Sequence, residues 1–349
     1  MRWRQRYRRL RYRSRFRPAM PQRIRPALLL IAAGLVLATG GCGGGSPSTL
    51  DPHGSSSSRV AGLWWLLFWI SLAVFTLVVV LIAVAVARRR GADVVARRGG
   101  GAWMVVAGGV ALPAVVLTAV WVVGLRTMSA LGDTGHQDLT VRVIGHEWWW
   151  EVHYPGGVAT ANEIHVPVGQ RVRFELSSAD VIHSFWVPQL GPKTDLIPGM
   201  TNVTWFQARR AGTFRGQCAE YCGLQHANMA VLVTAEAPAA FDRWLSGQRQ
   251  AVATPSDAVA ARGLDTVVRN SCAACHTLRG TTAAGKVGPD LTHLGSRQTL
   301  GAGVLANNPG NLGGWIIDSQ SIKPGNHMPP QQLTPEQLQA VIRYFETQR

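Results

Sequence analysis

Two uninterrupted apolar runs constrain this chain more than anything else in it. Leu63 to Ala87 is a stretch of 25 residues without a charge, closed by Arg88-Arg89-Arg90, and Ala102 to Leu125 is a second of 24. Roughly 20 apolar residues suffice for a helix to cross the hydrocarbon core of a bilayer, so both runs are predicted to span it. A helix pair buried in a soluble core is the alternative, and the length of the runs argues against it. Arg88 to Arg98 contains five Arg against the single Asp93. Because Lys and Arg stay on the cytoplasmic side, this turn is cytoplasmic and everything from Gly132 onward lies on the extracytoplasmic face.

The formal charge of +16 fits the same picture. Residues 1 to 25 hold eleven Arg and no acid, whereas residues 99 to 349 are one charge from neutral. Basic blocks beside apolar runs belong to membrane insertion, and no nucleic-acid partner is expected. After the Arg block come Ala27 to Ala38 and then Thr39-Gly40-Gly41-Cys42, the layout of a secretory signal. Cys42 is then a candidate lipidated mature N-terminus, although Thr39 stands where lipoprotein signals usually carry Leu. An uncleaved first anchor with an inert Cys42 is the other reading. In both, the Arg block is cytoplasmic and Ser46 to Arg59 lies outside.

From about Asp138 the texture changes to short alternating segments rich in Val, Thr and aromatics, at Leu139 to Ile144, Glu147 to His153, Glu163 to Val166, Arg171 to Leu176 and Val203 to Gln207. Pro and Gly separate them, which predicts an antiparallel β-sandwich or barrel. Ala235 to Pro255, rich in Ala, Gln, Pro and Ser, reads as a helical or flexible linker. Beyond it, Ala258 to Arg269 and Pro335 to Gln348 have helical periodicity and bracket a Gly- and Pro-rich middle, the pattern of a small helical domain.

The five Cys, at 42, 218, 222, 272 and 275, form two tight pairs and a singleton. That spacing suits metal or cofactor chemistry better than a disulfide framework. Cys218 to Met229 places two thiols, an imidazole and a thioether within one short loop. Such soft and borderline donors favour copper over Mg or Ca, and the Met argues against a structural zinc site. A sandwich that offers this loop near its C-terminal strands, with one more His from an earlier loop, resembles the cupredoxin arrangement, and Val181-Ile182-His183-Ser184-Phe185 supplies that His.

Cys218-x-Glu220-x-Cys222-x3-His226-x2-Met229 together with His183 resembles the CuA domain in subunit II of haem-copper oxidases. Gly145-His146-Glu147-Trp148-Trp149-Trp150, Lys193-Thr194-Asp195-Leu196-Ile197-Pro198-Gly199 and the preceding hairpin agree, so the resemblance covers roughly residues 60 to 235. It implies a cupredoxin-like fold in which Cys218 and Cys222 bridge two copper ions. His226 and the Glu220 carbonyl would complete one ion, His183 and Met229 the other. No coordination position is left open, so the site would transfer electrons and bind no substrate; Phe185 and Trp186 would form part of its apolar shell. The resemblance also implies a Mg ion shared with the catalytic subunit through the Glu220 carboxylate, with a plain surface Glu as the alternative. Trp148 matches the Trp at which electrons enter from a cytochrome; core packing or a membrane-interface belt is the alternative for all three Trp.

Cys272-Ala273-Ala274-Cys275-His276 is the haem c attachment motif, two thiols for the porphyrin vinyl groups followed by an imidazole for the iron. With Gly288-Pro289-Asp290-Leu291 it resembles small monohaem cytochromes c, which implies that Pro289 backs His276. Met328 stands at the position of the axial Met; His327 and His293 are its rivals. Trp315 packs either at the haem edge or in an ordinary core.

The expected architecture is a multi-domain membrane protein, with a two-helix transmembrane hairpin, then an all-β cupredoxin-like sandwich, then an all-α cytochrome c domain. Residues 1–41 are signal or anchor; 42–132 carry an extracytoplasmic stretch and the spans 63–87 and 102–125; 133–235 are the copper domain, 236–256 the linker and 257–349 the haem domain. Together the two domains resemble the caa-type oxidase subunit II of a bacterial cell membrane. The implied partners are oxidase subunit I and other oxidase subunits, membrane lipid, and cytochrome c or a quinol–cytochrome c reductase as electron donor. A copper-A nitric oxide reductase subunit, a copper-free quinol oxidase subunit and a copper carrier are the competing classes; the intact ligand set and the attached haem argue against the last two. One departure stands out: no acid lies between Asp93 and Asp133. Val106 occupies the position where the family often carries a proton-pathway Glu, so proton uptake is expected to begin in another subunit.

Overall fold

The computed structural model describes residues 47–89, 101–132, 135, 138–255 and 257–349. The Arg-rich start, Cys42 and Asp93 lie outside the described residues. Helix α1 (Ser55–Arg89) and helix α2 (Ala102–Gly132) are long and apolar enough to cross a membrane, and neither buries its apolar stretch against protein. Pro113 has no amide to donate to the carbonyl four residues back, and α2 takes a π-turn over Ala107–Ala111, on Gly108-Gly109, at that point. Val106 ends the turn before it.

Both helices run past the uncharged stretches at their outer ends, where they meet the sandwich. Ser56, Ser57 and Ala61 of α1 are buried there. The Ser57 hydroxyl donates to the Gln189 carbonyl at 2.7 Å, and Trp205 Nε1 donates to the Leu131 carbonyl at 3.0 Å. These bonds attach the sandwich to both helices of the hairpin.

Two five-stranded sheets form that sandwich. One has the order β3 (Val158–Ala161), β2 (Trp149–Tyr154), β1 (Leu139–His146), β5 (Val172–Ser178), β8 (Asn202–Phe206). The other runs β4 (Glu163–Pro167), β10 (Ala230–Glu236), β9 (Gly212–Cys218), β6 (His183–Trp186), β7 (Thr194–Leu196). Alternation decides which side chains enter the core: Val141 and Val143 point in while Arg142 points out, and Phe214, Gly216 and Cys218 do the same along β9. Trp150, Ile164, Phe174, Leu176 and Phe185 fill the space between the sheets. Burying such a side chain stabilises by about 1.5–3 kcal/mol.

The structure departs from the sequence reading in detail. The β2 strand starts at Trp149, because Glu147 and Trp148 form a turn that carries Trp148 away from the sheet. The sequence pattern does not mark β3, β6, β7, β9 or β10: β3, β6 and β7 have only three or four residues, and His183 and Cys218 stand at the ends of β6 and β9. Within the stretch read as a helical or flexible linker, Pro238–Gln248 forms helix α3, whose Trp244 stacks on His165 at 4.1 Å and meets Tyr154 edge-on at 5.1 Å. This helix packs as part of the sandwich.

The C-terminal domain comprises α4 (Ala258–Arg269), the single turn α5 (Cys272–Cys275), α6 (Pro309–Ile317), α7 (Ser319–Ile322), α8 (Pro335–Thr347) and a two-residue ladder of β11 (Thr299–Leu300) with β12 (Leu305–Ala306). Asp257 caps α4 by accepting from the Ala260 amide, and Thr334 with Gln337 forms a capping box on α8. The two helices cross closely at Gly263, where a Cβ would lie 2.0 Å from the Ala340 carbonyl oxygen.

Candidate metal centres

The first centre is assembled by strand pairing. Cys218 ends β9 opposite Phe185 of β6, so His183, which opens β6, lies beside it. The next eleven residues loop out and return to open β10 at Ala230, closed by the Cys218 amide donating to the Met229 carbonyl at 2.9 Å. Around Cys218 and Cys222, whose sulfurs are 3.7 Å apart as free thiols, the other donors converge. His183 Nδ1 is 4.0 Å from Cys218 Sγ, the Glu220 carbonyl is 3.3 Å from Cys218 Sγ, His226 Nδ1 is 3.6 Å from Cys222 Sγ, and Met229 Sδ is 3.8 Å from Cys222 Sγ. His183, Cys218, Cys222 and Met229 are buried, and His226 is half-buried. Among the described residues, His183, Cys218 and Cys222 form the one group of three His, Cys, Asp or Glu side chains whose ligand atoms all lie within 4.8 Å of one another. Soft sulfur and imidazole donors at these separations fit copper.

The hydrogen bond from Cys222, reinforced by His183, holds the Cys218 thiol far below its usual range; Cys222 is pushed up, its proton shared with Cys218. Burial would lower the basicity of His183, but hydrogen bonds to Asp180 and Cys218 outweigh it and push its pKa up to about 9. His183 Nε2 donates to Asp180 Oδ1 at 2.8 Å, which aims Nδ1 at the thiols. Room for the imidazole comes from Gly145 of β1, where a Cβ would stand 2.7 Å from His183 Cδ2.

Trp148 packs against the loop at the edge of the buried core. Its Nε1 donates to the Cys222 carbonyl at 2.8 Å, and it is 7% exposed. Trp150 is fully buried against Phe185 and His183, and Trp149 stacks on His146 at 4.4 Å, so the three Trp have three different surroundings. Phe185 is buried in the core, and Trp186 lines a cavity of about 470 Å³ beside Cys218 and Lys193. The Glu220 side chain is exposed.

In the second centre, His276 closes the single turn that carries Cys272 and Cys275. Its Nδ1 donates to the Pro289 carbonyl at 2.8 Å, and burial holds its pKa below the usual imidazole range. A neutral ring with Nδ1–H engaged leaves the Nε2 lone pair to bind a metal, and with two free thiols one turn away the donor set fits covalent haem. Gly288 permits this placement, since a Cβ there would lie 2.5 Å from His276 Cε1. The segment around Met328 is held by polar contacts: its carbonyl accepts from Ser319 Oγ at 2.7 Å and Gln320 Nε2 at 2.9 Å, and its amide donates to Asn326 Oδ1 at 2.8 Å. Of its rivals, His293 is buried with Nε2 donating to the Gln250 carbonyl, and His327 is exposed, its ring 6.2 Å from Trp148. Trp315 is partly buried against the helical core, close over Gly301.

Residues 156–236 match the family model for the periplasmic domain of cytochrome c oxidase subunit II, and residues 260–349 match that for cytochrome c. A cytochrome c oxidase subunit 2 of Bacillus sp. (strain PS3) is 33% identical over 258 residues, covering 70% of this chain and 72% of the relative. The chain belongs to the cytochrome c oxidase subunit 2 family. A second family member, from Alkalihalophilus pseudofirmus, is 40% identical over 217 residues, 62% of this chain and 63% of its own length. The crystal structure of the periplasmic domain of subunit II of cytochrome oxidase from Bradyrhizobium japonicum matches a third of the chain at 35% identity, with a TM-score of 0.32 over 96% of that domain, or 33% of this chain.

Sequence reasoning about this subunit 2 chain missed Asp180, which orients His183, and the Ser319, Gln320 and Asn326 set that holds the Met328 backbone. It also missed Glu163 and Lys323, two buried charged side chains between the copper and haem domains. Lys323 is the one with a visible signal: a lone charge in an otherwise uncharged Gly- and Pro-rich loop.

Proposed function

We propose that this chain is the electron-accepting subunit of a respiratory haem-copper oxidase, passing electrons from cytochrome c or a quinol–cytochrome c reductase through a haem c and a dinuclear CuA centre to subunit I for the reduction of oxygen to water. The observation that carries this is the closed donor set around Cys218 and Cys222. Every soft donor of the loop faces the thiol pair, and His183, Cys218, Cys222 and Met229 are buried, so an ion held there would have no open position for substrate. When bound, the copper pair and the haem supply reversible one-electron uptake and release.

The residues of the chain do the rest. Cys218 and Cys222 would bridge the two coppers, with His226 and the Glu220 carbonyl holding one and His183 and Met229 the other. Asp180 fixes the His183 ring, so the imidazole needs little movement when charge changes at the site. Cys272 and Cys275 would attach the haem, His276 and Met328 would bind its iron, and the Pro289 carbonyl orients His276. Trp148 lies between the two domains, its indole bonded to the Cys222 carbonyl and its outer edge beside the haem domain. The exposed Glu220 carboxylate is free to reach a Mg ion shared with subunit I. The two apolar helices anchor the chain in the bacterial cell membrane with both domains outside, and proton uptake begins in another subunit, since Val106 offers no carboxyl. Cleavage of the leader before Cys42 would add a lipid anchor.

The test is a spectrum and an elemental analysis of the purified holoprotein. Haem c bands, the near-infrared absorption of a mixed-valence copper pair and a copper-to-iron ratio of about two to one are expected in the isolated subunit. Iron without copper overturns the reading. Turnover of nitric oxide in place of oxygen by the assembled complex reassigns the acceptor.

A further inference from the structure

We propose that Lys323 is a positioning residue, a latch that holds the haem domain against the copper-ligand loop and sets the segment that follows it beside Trp148. Lys323 is 2% exposed, and its Nζ donates to three main-chain carbonyls, those of Trp148 at 2.8 Å, Asn228 at 2.7 Å and Gly301 at 2.8 Å. In its charged form the amine has three N–H donors, one for each of these carbonyls. The acceptors lie on three separate segments: the turn that presents Trp148, the residue before Met229, and the β11–β12 turn of the haem domain. One side chain therefore ties both faces of the contact together.

The residues that follow complete the contact. The Pro324 carbonyl accepts from Gln225 Nε2 at 2.7 Å. Gly325, at φ 82°, lies so close that a Cβ would stand 2.9 Å from Leu224 Cδ2 and 4.0 Å from Trp148 Cη2. His327 then places its ring 6.2 Å from that of Trp148. Burying an ammonium costs several kcal/mol before its hydrogen bonds are counted, and an apolar side chain would fill the space more cheaply. What lysine adds is direction: carbonyls at three fixed points accept its protons in a single docking pose. Because electron tunnelling falls steeply with distance, a fixed pose matters here more than mere tethering.

The proposal rests on the electron-transfer reading for its kinetic test alone; the docking test stands without it. In the full-length holoprotein in lipid nanodiscs, hydrogen exchange is followed at the amides of Ala230, Gln298 and Thr299, which donate across the domain contact to Ala302 and to Glu163. In Lys323→Met these amides are expected to exchange about tenfold faster, with β1 and β5 unchanged. Unchanged exchange at the contact overturns the latch. Should Lys323→Met loosen β1 and β5 as well, Lys323→Gln decides, since it keeps an N–H donor: intermediate rates support the latch, and rates equal to the unsubstituted protein overturn it. In the same samples, equilibration between haem and copper after photoreduction is expected to slow about tenfold while the haem and near-infrared bands keep their positions and intensities. An unaltered rate overturns the positioning role. Absence of the near-infrared band from the unsubstituted protein would instead sink the electron-transfer reading and leave the exchange result to judge the latch.

Discussion

At the scale of single residues, the copper-ligand set depends on one side chain outside it. Asp180 accepts from His183 and from the amides of Glu147 and Val181, so it holds both the imidazole and the turn before Trp148. Asp180→Asn leaves the fold in place but removes the charge that keeps the His183 ring basic and aimed. Copper affinity is expected to fall about 10- to 100-fold, as for other partners of ligating His, read by competition with a chelator. An unchanged affinity would show that β6 alone positions the ring. Away from the metals, Glu151 illustrates a different electrostatic role. Hydrogen bonds from His146 and then His153, each at 2.9 Å, hold its pKa down to about 2 from an ordinary 4.5. A carboxyl depressed in the folded state contributes stability in full above its unfolded value and loses it as pH falls through the folded one. Between pH 4.5 and about 2 the protein is therefore expected to lose unfolding free energy more steeply than Glu151→Gln in urea titrations at stepped pH. Parallel profiles would contradict this.

At the scale of elements, the ligand loop is a hairpin connection whose ends are fixed by the β9–β10 register, Gln217 opposite Ala230. The motif spacing within the loop was legible in the amino-acid order, because residues this close in the chain must be close in space. His183 was legible only as a candidate, since its approach to Cys218 needs β6 and β9 to pair. The enabling residue is on the opposite sheet: Gly145 of β1 leaves the space that the His183 ring occupies. Gly145→Ala would force a methyl to 2.7 Å from that ring. Overpacking of this kind costs about 1–3 kcal/mol and displaces the weaker-held group. The expected result is a lowered melting temperature together with partial copper loss, measured by calorimetry and elemental analysis; full copper retention would mean that the sheets yield before the imidazole does.

At the scale of the whole molecule, the haem domain is fastened to the copper domain by buried polar contacts. Opposite Lys323, the Glu163 carboxylate of β4 accepts from the Gln298 amide at 2.7 Å and the Thr299 amide at 2.9 Å. Burial raises its pKa, opposed by those hydrogen bonds and by Arg297. Glu163→Ala strands two amides without acceptors, each worth about 1–3 kcal/mol when buried and unpaired. Calorimetry of this variant is expected to show the haem domain unfolding separately and earlier. Glu163→Gln, which keeps an acceptor oxygen, is expected to stay close to the unsubstituted protein, and equal loss in both variants would show that charge, not acceptance, secures the contact.

The order of residues by itself determined the two membrane-length helices, the sandwich-then-helix sequence of domains, and the two ligand clusters, all of which rest on local periodicity, unbroken apolar length and short spacing. Tertiary structure alone decided how His183 meets the thiols, which of three adjacent Trp faces the copper loop, and that the haem domain docks through Lys323 and Glu163. The reason is physical. Local patterns report what a segment prefers, whereas these contacts join segments up to 175 residues apart, and only the packed pose decides which carbonyl meets which amine.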